Sequence, residues 1–343
     1  MKLLILTQKV DKNDPILGFF HEWLREFAKR FESLVVICLE MGEYDLPDNV
    51  KVLSLGKEEE PSRAKYLAKF YKYIWQERAN YDAVFVHMNQ EYVLLGSPFW
   101  KLLHKNIYLW RNHAKGDVTT NIAVRLSNKV FYTSPKAFVA DAPNAHQMPA
   151  GIDLERFASS SGRARANRIL VLGRIAPVKK ILEILDGFKE LSNRKVTFEA
   201  HIVGDALPKD HWYQDLVQEQ IEVLNLGKKV RILPAVSHED IPAFYRQYKL
   251  LINMTPDGSL DKTIFEALAS GLKVIVVNSF FREWLPVNWV VRSLNDPEEL
   301  ANDIKSAFSD AHGHNTETQG KISILLTKHS LSSLIKLLGD EIR

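Results

Sequence analysis

Cysteine is nearly absent: Cys38, inside the apolar run "LVVICLE", is the one cysteine in 343 residues. No disulfide can close within the chain, and no cysteine cage can hold a metal. A reducing, cytoplasmic setting is the simplest expectation. No run approaches the roughly 20 apolar residues that a bilayer crossing needs. The apolar start, "KLLILTQ", is too short for a signal core and no small-residue cleavage site follows, so it reads as a first buried strand. Charge of one sign is also scarce: the formal net charge is +3, which gives no reason to expect a nucleic-acid partner.

What is present is the make-up of an ordinary globular protein, 46% hydrophobic and 25% charged, long enough for two domains that each bury a core. Its weak charge is unevenly spread. Between Pro61 and Lys136 stand twelve Lys or Arg against four acids, interleaved with aromatics such as Tyr71, Trp75 and Trp100. Such a region can sit on an anionic membrane or meet an acidic acceptor. The plainer reading is a solvated helix surface whose aromatics turn into the core.

Short apolar runs recur at 2–8, 34–40, 50–55, 82–88, 106–112 and 129–134, alternating with helix-period segments such as 18–31 and 64–79. Continuous apolar strands of this kind belong to a parallel sheet covered on both faces. The polar stretch "FASSSGRARAN" (157–167) interrupts the pattern, which restarts with strands at 168–174, 197–205, 229–236, 249–255, 272–278 and 289–293. Helices are expected near 179–192, 209–225, 238–247, 261–270 and 296–309. The fold expected is therefore α/β, with two Rossmann-like doubly wound domains facing a central cleft. The N-terminal domain would span 1–157, a linker 158–167, the second domain 168–325 and a final amphipathic helix 326–343, packing back toward the first domain. Residues 310–320, with His312 and His314, read as a polar loop without a third metal ligand in order.

The chemistry gathers where strands end. In "LVLGRIAPVKK" (170–180) a strand is followed by Gly173, Arg174, a proline turn and then Lys179 and Lys180 at a helix start. Two cations beside helix-end amides make an anion site, although surface cations in a strand-to-helix turn are the plain alternative. In "LLINMTPDGSLDKTIFEALASG" (250–271) a strand leads through a Pro-Asp-Gly-Ser turn into a helix, with Asp261 or Ser259 as the cap and Gly271 as the stop. Glu266 sits among Phe265, Ala267 and Leu268, where a solvated glutamate would be out of place.

The order "GRIAPVKK", "HIVGD", "VRILPAVSHEDIPAFYRQYKLLINMT" and "GSLDKTIFEALASGLKVIVVN" resembles the donor-binding domain of retaining GT-B-fold glycosyltransferases of family 4. "FYTSPKAF" and "MPAGIDLERF" look like the end of that family's acceptor domain and its crossing strand. The resemblance implies a nucleoside-diphosphate sugar as donor substrate and a lipid-linked or glycan acceptor, with no cofactor and no metal expected; the basic, aromatic make-up of 61–136 itself favours a lipid-linked acceptor and peripheral membrane contact. It implies Arg174 and Lys179 on the donor diphosphate, Glu266 on the ribose, and contacts to donor sugar and phosphate from Gly173 and from Ser259, Leu260, Asp261 and Lys262. In the first domain it matches Gly18 to a loop approaching the phosphate and His87 to a histidine near the reacting sugar. Asn89, His113 and Asp257 are further positions that could touch acceptor or sugar; for His113 a hydrogen-bonded core histidine is the competing reading.

The chain departs from the pattern at Gly258, where the family keeps a glutamate eight positions before Glu266, and at Lys180, where it often has glycine. A sugar phosphorylase, a nucleotide-sugar epimerase or a non-catalytic sugar-nucleotide-binding subunit would share the same site.

Overall fold

The computed structural model describes residues 1–59, 62–158, 167–293, 295–309 and 316–342. The chain divides into two compact units, Met1–Gly151 with Leu331–Arg343, and Ile152–Ser330.

The first unit is built on seven strands: β1 (Lys2–Val10), β2 (Ser33–Met41), β3 (Val50–Ser54), β4 (Ala83–His87), β5 (Asn106–Trp110), β6 (Lys129–Tyr132) and β7 (Ala145–Gln147). All pair in parallel, in the order β3-β2-β1-β4-β5-β6-β7. Five consecutive residues of β1, Leu3 to Thr7, are buried, as a strand covered on both faces requires. One face carries α1 (Phe19–Arg30), whose Phe20, Trp23, Leu24 and Phe27 fall on a single helical stripe. The other carries α2 (Arg63–Gln76), α3 (Glu91–Leu102) and α4 (Val118–Leu126).

The chain's last helix, α12 (Leu331–Ile342), belongs to this unit and lies beside α1. It buries Leu331, Leu334, Ile335, Leu338 and Ile342, each contributing about 1.5–3 kcal/mol as an upper figure. The Tyr108 hydroxyl donates to the Ile342 carbonyl at 3.0 Å and Lys129 pairs with Glu341 at 2.7 Å, which fixes the end of the helix to β5 and β6.

The second unit holds α5 (Leu154–Ala158), β8 (Arg168–Leu172), α6 (Ile181–Asn193), β9 (Glu199–Val203), α7 (His211–Val223), β10 (Val230–Leu233), α8 (Ile241–Tyr245), β11 (Leu250–Asn253), α9 (Lys262–Ala269), β12 (Lys273–Val276), α10 (Pro297–Ser309) and α11 (Thr316–Lys328). Its five strands are parallel in the order β10-β9-β8-β11-β12. Ile169, Ile202, Leu250 and Ile252 of the sheet and Ile184, Leu185 and Phe188 of α6 form its core.

Three sequence expectations need correction. The run 289–293 is no strand: Val290 makes one bridge to Val276, following a single turn of 3-10 helix at Val287–Trp289. Residues 316–320, expected in a polar loop, open α11, while 310–315 with His312 and His314 lie outside the described residues. The segment read as a crossing strand, 148–157, ends in α5, because Phe157 packs edge-on against Tyr245 at 5.9 Å. The linker expected at 158–167 falls largely on residues 159–166, outside those described, and residues 152–158 lie in the second unit.

Candidate active site

In a doubly wound sheet the strand order reverses at one point, and the carboxyl ends of the two strands there splay apart to leave a crevice. In the second unit that point lies between β8, which runs on to β9, and β11, which runs on to β12. The two segments singled out by sequence, 173–180 and 254–262, leave these two strands, so topology brings them together.

After β8 the backbone turns at Gly173, whose φ is 134°, a region closed to residues with a Cβ. Gly204, at the end of β9, has φ 142°, and a Cβ there would drive into the Gly173 carbonyl oxygen. The pair of glycines lets the ends of β8 and β9 touch, with the Gly173 amide donating to Val203 at 3.0 Å. Arg174 follows with its side chain exposed and, among the described residues, no hydrogen-bond or ion-pair partner. A 3-10 turn, Pro177–Lys179, then delivers Lys179, and Lys180 begins α6 with φ 56°. That left-handed value explains why glycine suits position 180; here Lys180 bears the strain and pairs with Glu183 at 2.9 Å.

Lys179 does not face open solvent. Its ammonium is bound to the Asp261 carboxylate and donates to the Thr255 hydroxyl at 3.2 Å, with Lys179 and Asp261 side chains 17% and 18% exposed. The same Asp261 oxygen accepts from Asn253 at 2.9 Å and from Thr255 at 3.1 Å. Burial works to raise the Asp261 pKa, but the Lys179 charge and these bonds prevail and hold it below the usual carboxylate value. Asp261 takes the N-cap position of α9 as expected, but its carboxylate is committed to Lys179 and forms no side-chain cap bond. Sequence reasoning missed Asn253 and Thr255. The signal was available, because a polar Asn closing the apolar strand "LLIN" has to find a buried partner.

Asp257 is also occupied. Its two carboxylate oxygens accept from the Ser279 amide at 2.7 Å and hydroxyl at 2.6 Å, and Asn278 donates to the Ser259 carbonyl at 2.8 Å. These bonds tie the 256–259 turn to the segment after β12. Gly258 within it has φ 111°, so a glutamate side chain at this position would be strained on this backbone.

Glu266, one turn into α9, is buried and accepts from the Tyr245 hydroxyl at 3.1 Å. Burial pushes its carboxyl up to about 7, against the pull of the Lys262 charge. It likewise pushes the Lys262 ammonium down to about 7. A carboxylate so placed has one strong bond within the protein and lone pairs left for hydroxyl donors.

The first-unit candidates gather at that unit's own reversal point, between β1 and β4. His87 ends β4 with 2% exposure, stacked on Phe20 at 3.9 Å and bonded through Nδ1 to the Thr7 hydroxyl at 3.2 Å. Gly18 precedes α1 in ordinary helical geometry, its amide donating to the Asp14 carbonyl at 2.9 Å. Asn89 stands two residues beyond β4 in the turn into α3, after Met88 with φ 73°. His113 is no core histidine: it is exposed, and its Nδ1 faces the Lys115 amide and carbonyl at 3.1 Å. Among the described residues no three His, Cys, Asp or Glu side chains cluster as a metal site.

Residues 166–310, most of the second unit, match the family model of glycosyl transferases group 1. Mannosylfructose-phosphate synthase of Agrobacterium fabrum is 28% identical over 144 residues, covering 38% of this chain and 32% of that protein. The match thus spans about a third of that relative's length. Among solved structures, Anabaena Alr3699/HepE in complex with UDP superposes with a TM-score of 0.77 at 17% identity, covering 100% of this chain and 99% of that one. Sucrose-phosphate synthase from Thermosynechococcus elongatus superposes with a TM-score of 0.71 at 15% identity, covering 99% and 98%. The two Rossmann-like units are those of the GT-B fold.

Proposed function

We propose that the protein is a glycosyltransferase that moves a sugar, with retention, from a nucleoside-diphosphate sugar to a lipid-linked or glycan acceptor. The observation that supports it most is that Arg174, without a partner among the described residues, and the Lys179–Asp261 pair both stand at the strand-order reversal of a segment matching glycosyl transferases group 1. As the sugar C1–O bond to the diphosphate breaks, negative charge grows on the leaving phosphate. The Arg174 fork and the Lys179 ammonium stabilise it there. The acceptor oxygen bonds to C1 on the same face and its proton passes to the departing phosphate oxygen. No protein base is consumed, and the charge is met by side-chain cations rather than a metal. Glu266 accepts hydrogen bonds from ribose hydroxyls, and residues 259–262 meet the sugar and phosphate.

Uracil is the first nucleobase to test, since Anabaena HepE is described in complex with UDP-glucose. Thermal unfolding with UDP, GDP, ADP and TDP reads the donor directly, because a ligand bound only by the native state raises the midpoint. Selective stabilisation by one of them is expected. Stabilisation by none would refute the reading, and phosphate-dependent sugar 1-phosphate release would reassign the site to a phosphorylase.

A further inference from the structure

The helical layer α2–α4 differs from its counterpart across the first unit's sheet. On α2, Leu67, Tyr71 and Trp75 recur every four residues and are 41%, 43% and 56% exposed. They form one stripe beside the buried Phe70 and Ile74. On α3, Leu95 and Leu102 are also exposed, Leu102 by 75%. The Tyr71 hydroxyl donates to the Leu95 carbonyl at 3.1 Å and Trp75 meets Phe99 at 5.8 Å, so the apolar groups of the two helices join in one patch. Across the sheet, the exposed large apolar residue on α1 and α12, among those described, is Leu337. Isolated exposed apolar residues are ordinary; a patch confined to one layer is a binding surface.

Charge selects its occupant. Lys65 and Lys72 run at helical spacing beside the stripe, with Lys69 between them paired to Glu59 at 3.3 Å, and Arg78 lies 4.3 Å over the Trp75 ring. From Arg63 to Lys105 seven Lys or Arg face three acids, and one of those acids, Glu77, is buried against Lys51 and Asn80. Aromatic rings with cations at their rim suit the boundary between lipid headgroups and acyl chains. No described helix is long and apolar enough to cross a membrane, so contact would be superficial. We propose that the α2–α3 face docks the protein on an anionic lipid bilayer, with Leu67, Tyr71, Trp75 and Leu102 entering the interface and the lysines meeting lipid phosphates.

The test is flotation of the full chain with vesicles of neutral phosphatidylcholine or of phosphatidylcholine mixed with phosphatidylglycerol, at low salt and at about 0.5 M salt, where surface charges are screened within a few ångströms. The chain should float with anionic vesicles at low salt and be released by salt. Lys65→Glu with Lys72→Glu, and separately Trp75→Ala with Leu102→Ser, should each reduce flotation by roughly tenfold or more. Both pairs lie on exposed positions, so unfolding midpoints and nucleotide stabilisation should be unchanged. Absence of flotation at low salt, equal flotation with both vesicle types, or undiminished flotation of both variants would overturn the proposal. Loss of nucleotide binding by the unmodified chain refutes the glycosyltransferase reading and leaves this one standing, because the two are read separately.

Discussion

Lys179→Ala should damage nucleotide binding by more than the loss of one contact. A charge-assisted hydrogen bond contributes about 1.5–3 kcal/mol, or roughly 10- to 150-fold in affinity. Lys179 is also the counter-ion of Asp261, and both side chains are largely withdrawn from water. Without the ammonium, a carboxylate still fixed by Asn253 and Thr255 faces the phosphate seat. Two like charges about 5 Å apart at an effective dielectric of about 20 repel by roughly 3 kcal/mol before screening. Lys179→Ala should therefore weaken nucleoside diphosphate binding by roughly 100-fold or more in titration calorimetry. Adding Asp261→Asn removes the stranded charge, so the double variant should recover roughly tenfold, and the thermodynamic cycle isolates the coupling. Stability supplies an independent readout. The Asp261 pKa lies below the usual value when folded, so its contribution is present above the unfolded value and lost as pH falls through the folded one. In Lys179→Ala that acid loss should begin at higher pH. A double variant binding no better than Lys179→Ala would refute the counter-ion argument, and unimpaired binding by Lys179→Ala would remove the lysine from the site.

Arg174→Ala should leave unfolding midpoints unchanged, because the side chain is exposed and unpartnered among the described residues, yet lower diphosphate affinity by roughly tenfold or more; equal affinity in calorimetry would count against it. Glu266 is pushed up to about 7 by burial and its ionised form is the better acceptor for ribose hydroxyls, while Lys262 loses its charge over the same range, so the preference for ribose over 2′,3′-dideoxyribose diphosphates, more than overall affinity, should rise as pH passes through about 7. Glu266→Gln should flatten that profile and bind ribose and 2′,3′-dideoxyribose diphosphates alike; a retained preference for ribose would exclude the clamp. Gly204→Ala adds a Cβ in a left-handed backbone against the Gly173 carbonyl, so it should cost about 1–3 kcal/mol in chemical denaturation and displace Arg174 enough to weaken binding. A variant as stable as the parent would show that the two strand ends are not locked.

The regular elements were legible because parallel strands buried on both faces leave continuous apolar runs, as "KLLIL" and "LLIN" do. Residues 289–293 misled for the same reason: "WVV" is apolar because it is buried beside β12, where Val290 bridges Val276, and burial alone does not distinguish one bridge from a strand. The site was legible as separate turns but not as a circuit. Nothing in the spacing of Lys179 and Asp261, 82 residues apart, announces their pairing, which comes only from the adjacency of β8 and β11. That circuit also changes what Gly258 means. As sequence it reads as a missing carboxylate; as structure it is a glycine at φ 111°, in a turn held by Asp257 and Asn278, while a carboxylate three residues later is anchored to Lys179. Asp261 therefore supplies negative charge at this crevice from a different backbone position and already neutralised by a lysine. A donor sugar would meet a paired carboxylate in place of a free one, so sugar selectivity should depend on Asp261, Asn253 and Thr255 together rather than on position 258.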